Sequence, residues 1–364
     1  MLANRGSLTV LALAAVMLAG CTSPVDSPDV SVDRSSDPST GSNPTSPPSV
    51  ASVQPKPLID LDCSDFAGVA SMGTIAGVSE RDPRGAFNDS FDVVSVADAV
   101  RNAGGIACEF SDGGSWRNWQ GESFSLNEGW RGAAIFVIPN AATADADFTF
   151  LSSCGGAATS IRSVCSNYFA SGGAVINLVL SWNDRGPTFV AVRDHVSEVV
   201  AGAATTVGPI PRPPGTFEPP HDCGTLIPDA MASTILGAPG AAGGRATELE
   251  YAAEATYLTE NIGCEWWVDG LPLAVEVLVF PGGGWSAELT LPGLDTQPVE
   301  LASTREGDTA VKHCEHVLAW DFWLCTVEVV ADGTWIHATG SAASETEATA
   351  IAIGAADATL AHRN

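Results

Sequence analysis

Ile262-Gly263-Cys264-Glu265-Trp266-Trp267 matches Ile106-Ala107-Cys108-Glu109-Phe110, and this correspondence decides how the chain is to be read. Each stretch is short, apolar at every second position and rich in β-forming residues, so each predicts a strand. Adjacent strand residues face opposite ways, so Trp266 and Trp267 cannot both enter one core if the sheet has one wet face. Working outward, the chain has nine cysteines; setting Cys21 aside leaves four on either side of residue 208. Their gaps are 45, 46 and 11 in the first set (63, 108, 154, 165), and 41, 50 and 11 in the second (223, 264, 314, 325). Gly77 and Gly237 each follow the first cysteine of their set by 14 positions, and Gly173 and Gly333 each follow the last by eight. So many shared offsets point to a tandem repeat of one domain. Four cysteines per copy allow three connectivities. Easy closure of the short C-x10-C loop and equal spacing across copies favour sequential pairing: Cys63–Cys108, Cys154–Cys165, Cys223–Cys264 and Cys314–Cys325.

The element order is the same in both halves. A helix is expected over Asp65 to Ile75 and over Pro228 to Leu236, with Asp65 and Pro228 near the starts and Gly77 and Gly237 as stops. Strands follow at Ile106–Ser111 and Ala133–Ile138 in the first half, and at Ile262–Val268 and Ala274–Phe280 in the second. Hairpins come next, 164–170 with 174–182 across Gly172-Gly173, and 325–330 with 334–339 across Asp332-Gly333. Phe189, Val192, Val196, Val199 and Val200 mark one face of a closing helix; an alanine-rich one spans Ala348 to Leu360. The fold class is α+β: two tandem copies of a small disulfide-stapled domain, each with helices packed on an antiparallel sheet.

The 364 residues carry 43 Asp plus Glu against 16 Lys plus Arg, a net charge of −27. Such a chain lacks the basic face that nucleic acid or anionic lipid needs, so no nucleic-acid partner is expected. Residues 1–20 read as a signal peptide, with Arg5 before an apolar run from Leu8 to Leu18 that is too short to span a bilayer. Residues 22–56 hold ten Ser, three Thr and seven Pro, a composition that cannot bury enough surface to offset ordering entropy. With Cys21 they form the expected tether, 21–56, reaching about 110 Å if fully extended. Domains are expected at 57–207 and 221–364, folding separately across a stiff Pro-rich linker at 208–220.

Leu18-Ala19-Gly20-Cys21 resembles the lipobox of bacterial lipoproteins. That resemblance implies cleavage before Cys21, acylation of its thiol with fatty acid such as palmitate, and an anchored, extracytoplasmic protein on the outer face of the membrane. The lipobox, the Ser/Pro tether, Cys-x-x-Leu/Phe opening a helix that ends in Gly, then Cys-Glu-aromatic together look like uncharacterised actinobacterial, mycobacterial-type cell-envelope lipoproteins of a domain-of-unknown-function family. More distantly they resemble the extracellular sensor domains of actinobacterial receptor kinases. The matching positions are Cys63, Gly77 and Cys108, then Cys223, Gly237 and Cys264. The tandem duplication and the C-x10-C pairs depart from that pattern. Only Lys56 and Lys312 are lysines among the 16 basic residues, in line with an Arg-biased actinobacterial composition. The family brings no activity with it.

Candidate chemistry is sparse. His313-Cys314-Glu315-His316, joined by His337, could supply metal ligands but reads better as polar residues flanking a disulfide. Asp60, Asp62 and Asp65, or Asp145 and Asp147, lack a calcium-wrapping loop. Gly121-Glu122-Ser123-Phe124-Ser125 is not a nucleophile elbow, and the Gly282-Gly283-Gly284 run is a turn. His195 beside Asp194 reads as a helix-surface residue. No cofactor or catalytic residue is assigned. The tryptophans are more informative: Trp116, Trp119 and Trp130 in the first half; Trp266, Trp267, Trp285, Trp320 and Trp323 in the second. Residues 208–364 also carry 22 acidic against 5 basic residues, compared with 17 against 8 in 57–207. Unequal charge and aromatics place the expected partner site on the second copy, centred on Trp267 or Trp320. The expected protein is a monomeric, non-enzymatic binding or sensing module for an envelope protein or glycan. A hydrolase and a plain structural spacer are the competing readings.

Overall fold

The computed structural model describes residues 53–72, 79–82, 96–112, 131–139, 153–155, 162–183, 189–206, 208, 210, 212–245, 261–268, 274–317 and 321–363. Among these are two antiparallel sheets with helices, an α+β fold, and residues 46–364 form one compact unit. The signal segment, Cys21, most of the tether, Gly77, Gly121 to Ser125, Asp145, Asp147, Trp116, Trp119, Trp130 and Trp320 lie outside the described residues.

The first half opens on a 3-10 turn, Cys63–Phe66, running into α1 (Ala67–Met72). Its cap is Asp62 rather than Asp65. The Asp62 carboxylate accepts from Ser64 N–H, and the Asp62 N–H donates back to Asp65 Oδ2, both at 2.8 Å. Asp222, the residue before the equivalent cysteine, does the same work for α4 (Cys223–Leu226), accepting from Thr225 N–H. The helix expected over Pro228 to Leu236 is present, and α4 is an additional short helix before it. Ile227 is extended, and α5 (Asp229–Ile235) restarts after Pro228, whose missing N–H costs nothing at a helix start. Gly237 takes the left-handed conformation that ends it, with φ of 64°.

The first sheet comprises β1 (Ser79–Arg81), β2 (Ile106–Ser111), β3 (Gly132–Pro139), β4 (Ser153–Gly155), β5 (Arg162–Ser171) and β6 (Ala174–Asn183), in spatial order β1-β2-β3-β6-β5-β4. The second comprises β7 (Ala242–Arg245), β8 (Ile262–Trp267), β9 (Ala274–Phe280), β10 (Gln297–Pro298), β11 (Thr309–Val317), β12 (Phe322–Ala331) and β13 (Thr334–Ala342). Read from its β7 edge, its order is β7-β8-β9-β13-β12-β11-β10. That is the same succession of connections with one edge strand added. Cys63–Cys108, Cys223–Cys264 and Cys314–Cys325 are disulfide-bonded. Cys154 and Cys165 stand directly opposite each other between β4 and β5, and their side chains lie outside the described residues.

One face of each sheet carries helices. Ile135, Val137, Ile176 and Leu178 of the first pack with Val69 of α1 and with Val192, Val196 and Val200 of α3 (Phe189–Gly202). In the second, Trp266, Val277, Val327 and Ile336 pack with Leu226, Ala232 and the alanine face of α7 (Glu345–Leu360). Alanines let that helix lie very close: a Cβ on Gly340 of β13 would sit 2.5 Å from the carbonyl oxygen of Ala348.

The opposite faces are not wet, contrary to the reading of each sheet as half-solvated. Phe136, Ile138, Val175 and Val179 of the first sheet join Leu278, Phe280 and Trp335 of the second in a common interior, with Ala97 and Val100 of α2 (Val96–Asn102) and Ala287 of α6 (Gly284–Thr290). Neither α2 nor α6 was apparent from the sequence. Their polar groups stitch the halves together: Ser286 Oγ donates to Asp98 Oδ2 at 2.6 Å, and Asn102 Nδ2 donates to Asn261 Oδ1 at 2.9 Å. Asn261 Nδ2 donates in turn to the Ala99 carbonyl. The Pro-rich segment is packed as well: Phe217 is buried in the second core, and its carbonyl accepts from Thr334 Oγ1 at 2.6 Å.

Candidate functional site

β8 ends on the two tryptophans that opened the sequence reading. Trp266 is 0% exposed, its indole lying over Gly243 of β7, where a Cβ would come within 1.9 Å of the ring. Trp267 faces the other way and is 40% exposed. Its in-register neighbours are Ala242 on β7 and Ala274 on β9, followed by Ser341 on β13. Methyl-sized neighbours leave the indole uncovered at the sheet's end. Glu265 shares the face two residues earlier and stands directly opposite Glu276. An exposed, rigid aromatic beside acceptor oxygens can stack on a sugar ring or an apolar side chain while carboxylates take its donors.

Three other described tryptophans are occupied. Trp285 is buried and donates to Asn102 Oδ1 at 3.4 Å; Trp335 is buried and donates to Glu328 Oε2 at 2.7 Å. Trp323 is half-buried and stacks on His316 with ring centroids 4.9 Å apart.

The histidine cluster is divided by strand alternation. His313 lies on the face turned to the inter-sheet interior, with Nε2 3.5 Å from Glu328 Oε1. His316, three residues on, takes the other face and pairs with Asp321 at 3.3 Å. The two therefore cannot share an ion. His337, directly opposite Glu328 on the neighbouring strand, places Nδ1 2.7 Å from Glu328 Oε1. Both side chains are fully buried. Burial works to raise the Glu328 carboxyl, but the charge on His337 and hydrogen bonds from His313 and His337 outweigh it and hold the group at about 2. No set of three or more His, Cys, Asp or Glu with metal-binding geometry occurs among the described residues.

The remaining candidates also have structural duties. Asp62 is a helix cap, and its carboxyl is held below the usual range by the Ser64 side chain and backbone. Asp194 pairs with Arg193 at 2.7 Å, so it does not orient His195, whose imidazole instead packs against Gly68 of α1. Sequence reasoning missed the Glu328–His337 pair, though Thr326-x-Glu328 and His337-x-Thr339 on facing strands carried its signal. Comparison of the chain with protein-family models, curated proteins and solved structures finds no match.

Proposed function

We propose that the chain is a lipid-anchored extracytoplasmic protein of the cell envelope, a non-catalytic binding or sensing module held at the outer membrane face through acylated Cys21. The reading adds that it is a tandem duplication working as a monomer, with 21–56 as tether and the second copy carrying the partner site. The observation that carries the binding role is Trp267, a large aromatic left 40% exposed at the end of a sheet in which Trp266 and Trp335 are buried and Trp323 is half-buried against His316. The matching strand succession of the two sheets supports the duplication. Glu328 and His337 are both fully buried, which favours a structural part for the pair over turnover. The partner has the chemistry of an envelope protein or a glycan: apolar or ring surface flanked by donors. Trp320 stays with Trp267 in the proposal.

The experiment places a photo-crosslinking side chain at position 267 of the full-length chain in intact cells, and a second at Met231, which is also exposed but on α5. A discrete adduct from 267 and none from 231 is the expected result. Equal labelling from both, or none from either, would remove the binding role. In the same cells Cys21→Ala should leave the membrane fraction; retention after a salt wash contradicts the anchor.

A further inference from the structure

The two central hairpins hold a polar pair at the same place. Counting cross-strand pairs from the turn, the fourth in β5–β6 is Tyr168 with Asn177, and the fourth in β12–β13 is Glu328 with His337. Both pairs are buried. Asn177 Nδ2 donates to the Tyr168 hydroxyl at 2.7 Å; His337 Nδ1 and Glu328 Oε1 are likewise 2.7 Å apart. One chain thus contains a neutral and an ionisable version of a single structural position.

The ionisable version is wired on every side. Glu328 Oε2 accepts from Trp335 Nε1 at 2.7 Å. His337 Nε2 lies 3.0 Å from Thr339 Oγ1, which is 3.1 Å from Thr326 Oγ1. His313 is the member whose side chain reaches solvent, 24% exposed against 0% for Glu328, while its Nε2, 3.5 Å from Glu328 Oε1, is itself buried. Other charged groups on this face are Glu315 on β11, Glu276 on β9 and Glu265 on β8; the elements packed against it bring Glu288 on α6, Asp98 and Arg101 on α2 and, from the facing sheet, Arg81 on β1, Glu109 on β2 and Arg162 on β5. Arg101 is paired with Asp82 at 3.2 Å. The ion-pair partners within 4 Å of Glu328 among the described residues are the two imidazoles.

We propose that Glu328, His337 and His313 form a proton-sensitive latch that seats the β12–β13 hairpin in the inter-sheet interior, a device the β5–β6 hairpin does without. With carboxylate and imidazolium paired, the latch is closed. A proton reaching Glu328 removes the negative charge and leaves the His337 cation buried alone, which is costly in a dry interior. The sign follows from the carboxyl being depressed from 4.5 to about 2. Its contribution is complete above the ordinary carboxylate value and is lost as pH falls from there to about 2.

The test transplants the first hairpin's pair into the second, Glu328→Tyr with His337→Asn, and compares it with wild type and with the near-isosteric Glu328→Gln in the full chain. Folded-to-unfolded ratios are measured by denaturant titration from pH 7 to pH 2, alongside the Trp335 indole N–H resonance. Wild type should lose on the order of 100-fold more of its ratio between pH 4.5 and 2 than either variant, since a depression of that size is worth roughly that factor. The Trp335 resonance should move over the same range. If the transplant fails to fold, Glu328→Gln and the wild-type resonance decide the matter. Parallel pH profiles in wild type and variants, or a Trp335 resonance that stays fixed down to the unfolding pH, would overturn the latch.

Discussion

Arg363→Ala should destabilise the protein by about 3–5 kcal/mol, the usual cost of removing one partner from a buried ion pair. The Arg363 guanidinium meets Asp308 Oδ2 at 2.8 Å, with side chains 1% and 4% exposed. It also donates to the Ser303 carbonyl and lies 3.6 Å from Asp332. Truncation leaves the Asp308 carboxylate buried, with the Arg305 N–H as a remaining donor at 2.7 Å. The loop 301–308 would lose one of its ties to the chain end, keeping Asp357 accepting from Ala302 and Ser303 and the Arg305 guanidinium donating to the residue 363 carbonyl at 3.0 Å. Equilibrium urea unfolding measures the difference. A loss under 1 kcal/mol would mean that the clamp is solvated and that the loop is held by other means.

Gly340→Ala should cost about 3 kcal/mol, the upper range for forced overpacking, because its obstacles are backbone atoms. The new Cβ would lie 2.5 Å from Ala348 O and 2.8 Å from Ala352 N, so α7 would have to lift from β13 along its length. Gly244→Ala supplies the control, since nothing lies within 4 Å of a Cβ there and the change should be close to neutral. Equal effects at the two positions would show that α7 does not rest on the strand. The same contact explains why this helix is alanine-rich. Its buried face combines Ala348, Ala352, Ala355 and Ala356, which allow the close approach, with Ile351, Thr359 and Leu360.

Local patterns carried the central strands of each sheet, both hairpin turns and the opposed facing of Trp266 and Trp267, because each depends on residues one or two apart; β1, β4, β7, β10 and β11, which carries His313 and His316, were not read as strands. The inner faces were not legible, and the reason is physical. Thr326, Glu328, His337 and Thr339 alternate with apolar residues as a solvated face would, and only a second sheet laid over them makes them interior. What docks the sheets, Ser286 on Asp98 and Asn102 on Asn261, joins residues more than 150 positions apart and leaves no periodic trace. Asp62 and Asp222 as caps were within reach, each standing just before a matched cysteine. Asp65 drew the reading instead because a carboxylate three residues into a turn is also a capping signal. For the candidate site, the alternation rule identified Trp267. What the sequence lacked was the small size of Ala242 and Ala274 as cross-strand neighbours, which requires the register.

The shared interior between the sheets is what joins the two halves, and native-state hydrogen exchange on a mild lesion there tests it most directly. Phe136 belongs to the first half, yet it packs in the cluster that includes Leu278, Phe280 and Trp335 of the second. Phe136→Leu should lower the opening free energy of the slowest amides on β3 and β6 by about 1 kcal/mol, a typical core loss. A common core predicts that the slowest amides on β9 and β13 fall by the same amount. A decrease confined to β3 and β6, with the second sheet's amides unchanged, would show two independent units and contradict the account.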